Sequence, residues 1–80
     1  MKQLLLCTLL LTVYSSADTI EETKRMCEAG DAKSCKIMGD LTRAGLGVEQ
    51  DISKALHYYD ISCFYGNKDA CKELDTMKKD

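Results

Sequence analysis

CEAGDAKSC at residues 27–35 and CFYGNKDAC at residues 63–71 are one arrangement written twice. Each brackets seven residues between two cysteines, and each places a glycine three residues after the first cysteine, at Gly30 and Gly66. Cys27 to Cys63 is 36 residues, and so is Cys35 to Cys71. Asp31 answers to Asn67 and Lys36 to Lys72 at the same offset. A fixed period of this size marks a helical repeat array, in which each unit buries its apolar face only against a neighbour.

Between the two stretches the apolar spacing is helical. Cys35, Met38, Leu41 and Thr42 share one face of a helix that begins near Ala32. Gly45 ends that helix, because glycine reaches the left-handed conformation cheaply. The loop GLGVEQ follows, with Leu46 and Val48 placed to plug the open end of a hairpin. Asp51 then suits an N-cap. Ile52, Ala55, Leu56, Tyr59, Ser62 and Cys63 form the apolar face of the next helix, which Gly66-Asn67 stops. A further helix carries Cys71, Leu74 and Met77 on one side. The residues before Cys27, from about Thr19, take the place of a second helix from a preceding period. The reading is four helices at roughly 19–29, 32–44, 51–65 and 68–78, an all-α α/α solenoid of helix-turn-helix units. Residues 32–66 make one complete unit, flanked by two half units.

Eighty residues allow one small domain. The formal charge of −2 and the lack of any long basic run exclude a nucleic-acid binder. The first residues, MKQLLLCTLLLTVYSSA, read as a signal peptide. Lys2 supplies the positive end, Leu4 to Tyr14 an apolar run of eleven residues, and Ser15 and Ala17 the small positions of a cleavage site. The run is too short to span a membrane, which takes about 20 residues. A buried N-terminal helix is the rival reading, but nothing polar interrupts the run and charge begins sharply at Asp18. A lipoprotein reading through Cys7 is disfavoured by the bulk of Leu6. Cleavage after Ala17 leaves a domain at 18–80 with four cysteines, expected in a secreted chain, periplasmic or extracellular, with no membrane contact.

The run AKSCKIMGDLTRAGLGVEQDISKALHYYDISCFYG resembles one Sel-1-like repeat, a relative of the tetratricopeptide repeat. The matching positions are Met38-Gly39, Gly45-Leu46-Gly47-Val48, Asp51, Lys54-Ala55 and Tyr58-Tyr59. The cysteine pair in each period resembles the subgroup called Helicobacter cysteine-rich proteins. Thr42 stands where the repeat usually has Tyr, Ser62 where it has Ala, Ile61 where it has a polar residue, and Asp75 where it has Gly.

In this arrangement Cys27 falls in the last turn of one helix and Cys35 in the first turn of the next, with Gly30-Asp31 between them. Antiparallel neighbours then bring the two cysteines within the 4.4–6.8 Å between Cα atoms that a disulfide requires. The expected pairs are Cys27–Cys35 and Cys63–Cys71. An even number of cysteines in an exported chain supports disulfides, although four cysteines allow three connectivities. Zinc sites favour cysteines two to four residues apart, and no C-x-x-C redox motif is present.

No cofactor is expected. The single histidine, His57, beside Tyr58, is a candidate partner contact, and less plausibly a general base. Helix-pair arrays offer concave faces to peptides and proteins, so a protein- or peptide-binding module is expected, through the groove between 32–44 and 51–65. The resemblance implies an alternative, a secreted β-lactamase-type hydrolase or a protein binding penicillin-type small molecules. No S-x-x-K, K-T-G, G-x-S-x-G, H-E-x-x-H or P-loop is present, so no catalytic residue is assigned.

Overall fold

The computed structural model describes residues 19–79. The expected leader at 1–17, with Cys7, lies outside the described residues. The described chain is all-helical. Helix α1 covers 19–28, α2 Ala32–Ala44, α3 Ile52–Phe64 and α4 Lys68–Lys79.

The two short turns are built alike. In the first, the Gly30 amide donates to the Cys27 carbonyl (2.9 Å) and the Asp31 amide to the Met26 carbonyl (3.0 Å). In the second, Gly66 donates to Cys63 (3.0 Å) and Asn67 to Ser62 (3.0 Å). This pairing of bonds is a Schellman motif, which needs a left-handed residue at the glycine position. Gly30 and Gly66 supply it at φ 99° and 104°. Each turn is closed by a disulfide. Cys27 and Cys35 are joined with Cα atoms 4.5 Å apart, and Cys63 and Cys71 with Cα atoms 4.7 Å apart. The 36-residue offset seen in the sequence is therefore also an offset between two equivalent turns.

The longer α2–α3 connection follows different chemistry. Gly45 ends α2 at φ 72°, with its amide bonded to the Leu41 carbonyl at 2.8 Å. Asp51 caps α3, its side chain accepting from the Lys54 amide at 3.0 Å. Gly47, at φ 74°, lies against the Ile20 side chain of α1, so a Cβ there would collide with it. The loop thus touches the preceding helix at Gly47 while Leu46, Glu49 and Gln50 stay exposed.

Helices α2 and α3 meet closely because Gly39 offers no side chain. A Cβ at that position would lie 2.7 Å from the Tyr59 ring. Ser62 reinforces the contact, its hydroxyl donating to the Ala32 carbonyl at 2.6 Å. The core divides in two. Cys27, Cys35, Met38 and Tyr58 form one cluster, with Ile20, Leu41 and Ile61 at its edge. Ala55, Tyr59 and Ala70 form the other, with Leu74 and Met77.

Three expectations about burial fail. Ile52 is 49% exposed, in a first turn of α3 whose residues 52–54 all face solvent. Leu46 is 61% exposed and plugs nothing, since Gly47 makes the loop's close contact. Tyr58, placed on a partner-facing surface, is only 7% exposed and belongs to the first core cluster. Ala70, overlooked in the sequence pattern, is fully buried against α3.

Candidate binding groove

Tyr59 seated on Gly39 closes the side of the α2–α3 contact nearer α4. The open groove lies on the other side, where α1 joins Met38 and Thr42 of α2 and Lys54 and Tyr58 of α3. It has two compartments that share Lys24, Lys54 and Tyr58. One, of about 210 Å³, runs from Ile20 and Glu21 to Val48 and Glu49, over Met38 and Thr42. The other, of about 350 Å³, is bounded by Cys27, Glu28, His57, Ile61 and Tyr65.

Helical spacing explains this assembly. Lys54, Tyr58 and Ile61 recur at intervals of four and three along α3, and Ile20, Lys24 and Cys27 do the same along α1. The two helices face each other with apolar residues low and lysines at the rim. Long lysine stems cover apolar surface while the ammonium stays in water. Among the described residues, the ion pairs are Lys36–Asp40, Arg43–Glu73 and Lys79–Asp75. Neither Lys24 nor Lys54 takes part in one.

His57 is exposed and lines the larger compartment, as expected of a partner contact. Tyr58 also lines the groove, but as its floor and not as a projecting side chain. The structure therefore brings the two named residues to one groove in different roles. Lys24, Lys54 and Tyr65 were given no site role from the sequence, Lys54 being noted only as a position of the repeat resemblance. The four-residue interval from Lys54 to Tyr58 was the available signal for one of them. Tyr65 closes the far end, its ring 3.7 Å from where a Gly30 Cβ would stand, and packs edge-on to Phe64 at 5.5 Å between centroids. Phe64 is 83% exposed.

The opposite side of the molecule is closed by polar contacts. The Tyr59 hydroxyl donates to Asp40 at 2.5 Å, Lys36 pairs with Asp40 at 2.9 Å, and Arg43 of α2 pairs with Glu73 of α4 at 2.8 Å. Burial, and then the bond to Asp40, push the Tyr59 phenol up to about 12. The bond to Asp40 raises Lys36, and bonds to Tyr59 and Glu73 raise Arg43.

Chemically, the groove offers an apolar floor, aromatic edges and a rim of both signs, Lys24 and Lys54 beside Glu21, Glu28, Glu49 and Asp51. No serine lines it, Thr42 is buried, and Cys27 is held in its disulfide. Among the described residues, no group of three or more His, Cys, Asp or Glu side chains is arranged to hold a metal ion, and no helix is long and apolar enough to cross a membrane.

No protein-family model, curated protein or solved structure matches the chain.

Proposed function

We propose that this chain is an exported, disulfide-stapled repeat protein of the Sel-1-like kind, a short α/α solenoid whose α1–α3 groove binds a segment of a protein or peptide. The observation that carries the reading is the groove itself: Tyr58 as floor, Ile20 and Ile61 beside it, and unpaired Lys24 and Lys54 at the rim. Grooves with apolar and aromatic floors and a few polar groups are where extended or helical segments dock. Two disulfides in so small a helical domain suit an oxidising compartment, which agrees with the expected leader. Repeat character is supported by the two equivalent turns at a 36-residue offset.

Peptide display on the oxidised protein tests the binding reading. Selected peptides should bind the wild-type chain and lose about tenfold or more in affinity to Lys54→Glu with His57→Ala, since central contacts carry most binding energy. Lys33→Glu, an exposed change on α2, should leave binding intact. Selection that yields nothing, or peptides indifferent to the groove changes, would defeat the reading. A chromogenic cephalosporin is the companion assay. The groove holds no activated nucleophile of the kind acyl transfer requires, so turnover should stay near the uncatalysed rate, and clear turnover abolished by His57→Ala would replace binding with catalysis.

A further inference from the structure

A third pocket, of about 370 Å³, lies on α4, lined by Cys71, Lys72, Leu74, Asp75 and Lys78. These residues stand one period after Cys35, Lys36, Met38, Gly39 and Thr42 of α2. In α2 four of those five are buried, Lys36 being the exception, and Gly39 receives the Tyr59 ring of α3. The α4 pocket is thus the seat for an α3-like helix, with no described helix in it.

One other helix in the chain has the α3 register, and that is α1. Glu22, Thr23 and Met26 correspond to Tyr58, Tyr59 and Ser62. Glu22 is exposed and Met26 is 46% exposed, so this face of α1 is covered by no described helix. We propose that α1 of one copy docks on α4 of the next, completing between molecules the unit that α2 and α3 complete within one.

Residue sizes agree with this pairing. Within the chain the large Tyr59 meets the small Gly39. Between copies the smaller Thr23 would meet the larger Asp75, so the volume is exchanged across the contact and not doubled. Charges agree as well. Tyr58 and Thr42 line one compartment together, and their counterparts are Glu22 and Lys78, of opposite sign. Neither Glu22 nor Lys78 has an ion-pair partner among the described residues. Met26 at the Ser62 position would add apolar contact near Cys71. The two surfaces differ from each other, so the contact is head-to-tail and propagates, without closing into a symmetric dimer.

The test is sedimentation equilibrium of the oxidised protein from about 10 μM to 1 mM, a range that captures weak association. The average mass should rise steadily beyond a dimer. Lys78→Glu or Glu22→Lys alone should weaken association about tenfold, because each puts like charges together. In a mixture both junctions between unlike variants pair opposite charges, so the mixture should regain growth beyond a dimer as an alternating array. His57→Ala should change nothing, which separates this contact from the groove. Circular dichroism establishes that each variant stays folded. A monomer at every concentration, a wild-type plateau at dimer, or a mixture no more associated than its components would overturn the proposal.

Discussion

The two long sides of this all-helical molecule are chemically opposite. On the α1–α3 side the lysines at positions 24 and 54 face each other across an apolar floor with no carboxylate partner among the described residues. On the α2–α4 side Lys36, Asp40, Tyr59, Arg43 and Glu73 satisfy one another in a continuous row. Charges paired internally leave little for a ligand, and unpaired ones above buried apolar residues do. The comparison teaches that the helix stack supplies two seams, and that side-chain pairing decides which seam is left open.

Each short turn has its own staple, and cutting the staples should give the largest effects. Cys27–Cys35 ties α1 to α2 and sits in the core beneath the groove, with exposures of 3% and 0%. Cys63–Cys71 ties α3 to α4 and is only half-buried. Loop closure gives about 2.5 kcal/mol for each by the chain-entropy relation. Cys27→Ala with Cys35→Ala should cost about 1 to 2 kcal/mol more than Cys63→Ala with Cys71→Ala, because it also leaves a cavity in the core. Urea titration followed by circular dichroism measures both. Equal losses would mean that burial does not distinguish the staples.

Next in size is the contact on which both seams depend. Gly39→Ala drives a methyl into the Tyr59 ring and should cost about 1 to 3 kcal/mol. Asp75→Ala, one period later on α4, should change stability by no more than about 0.5 kcal/mol. A similar cost at both positions would remove the distinction between the filled and the open seat.

Tyr59→Phe probes the paired side. It should cost about 1 kcal/mol through the lost bond to Asp40. The pH dependence has a definite sign. The folded-state pKa is about 12 against 10.0 unperturbed, so the native state holds the proton more tightly. That contribution is complete below pH 10 and is lost as the pH rises from about 10 to 12. The Phe variant should lack this alkaline loss, and thermal unfolding across that window reads it out.

The smallest effects belong to the exposed charges. Arg43→Ala should cost about 0 to 1 kcal/mol, as exposed ion pairs do. Lys54→Glu should leave stability almost unchanged while weakening binding in the groove. A large stability loss from Lys54→Glu would show that the lysine is structural.

Much of this architecture was legible in the residues. The 36-residue offset, the glycines at 30, 45 and 66, and Asp51 as a cap locate the four helices to within one or two residues, because these signals act through local backbone geometry. The cysteine pairing followed from the same turns. What was not legible depends on neighbours distant in sequence. Tyr58 and Tyr59 are adjacent and chemically alike, yet one floors a groove and the other fills the space above Gly39. Helical periodicity alone does not say which of two adjacent faces meets a third helix. The groove was placed only in part: Met38, Thr42, Lys54 and Tyr58 of the two expected helices line it, but α1 supplies its other wall, and no local signal records that. The Asn67 side chain, which accepts from the Ala70 amide at 3.1 Å and so starts α4, was readable in principle and was taken only as a helix stop.

The central claim is that the α1–α3 side, and not the α2–α4 side, is the recognition surface. Backbone amide chemical-shift mapping by NMR, with a display-selected peptide added to the isotope-labelled oxidised protein, tests it most directly. The account predicts saturable shifts clustered at residues 20–28 and 54–65, with Lys36, Arg43 and Glu73 undisturbed. Shifts centred on those three residues, with the α1 and α3 amides unmoved, would contradict it.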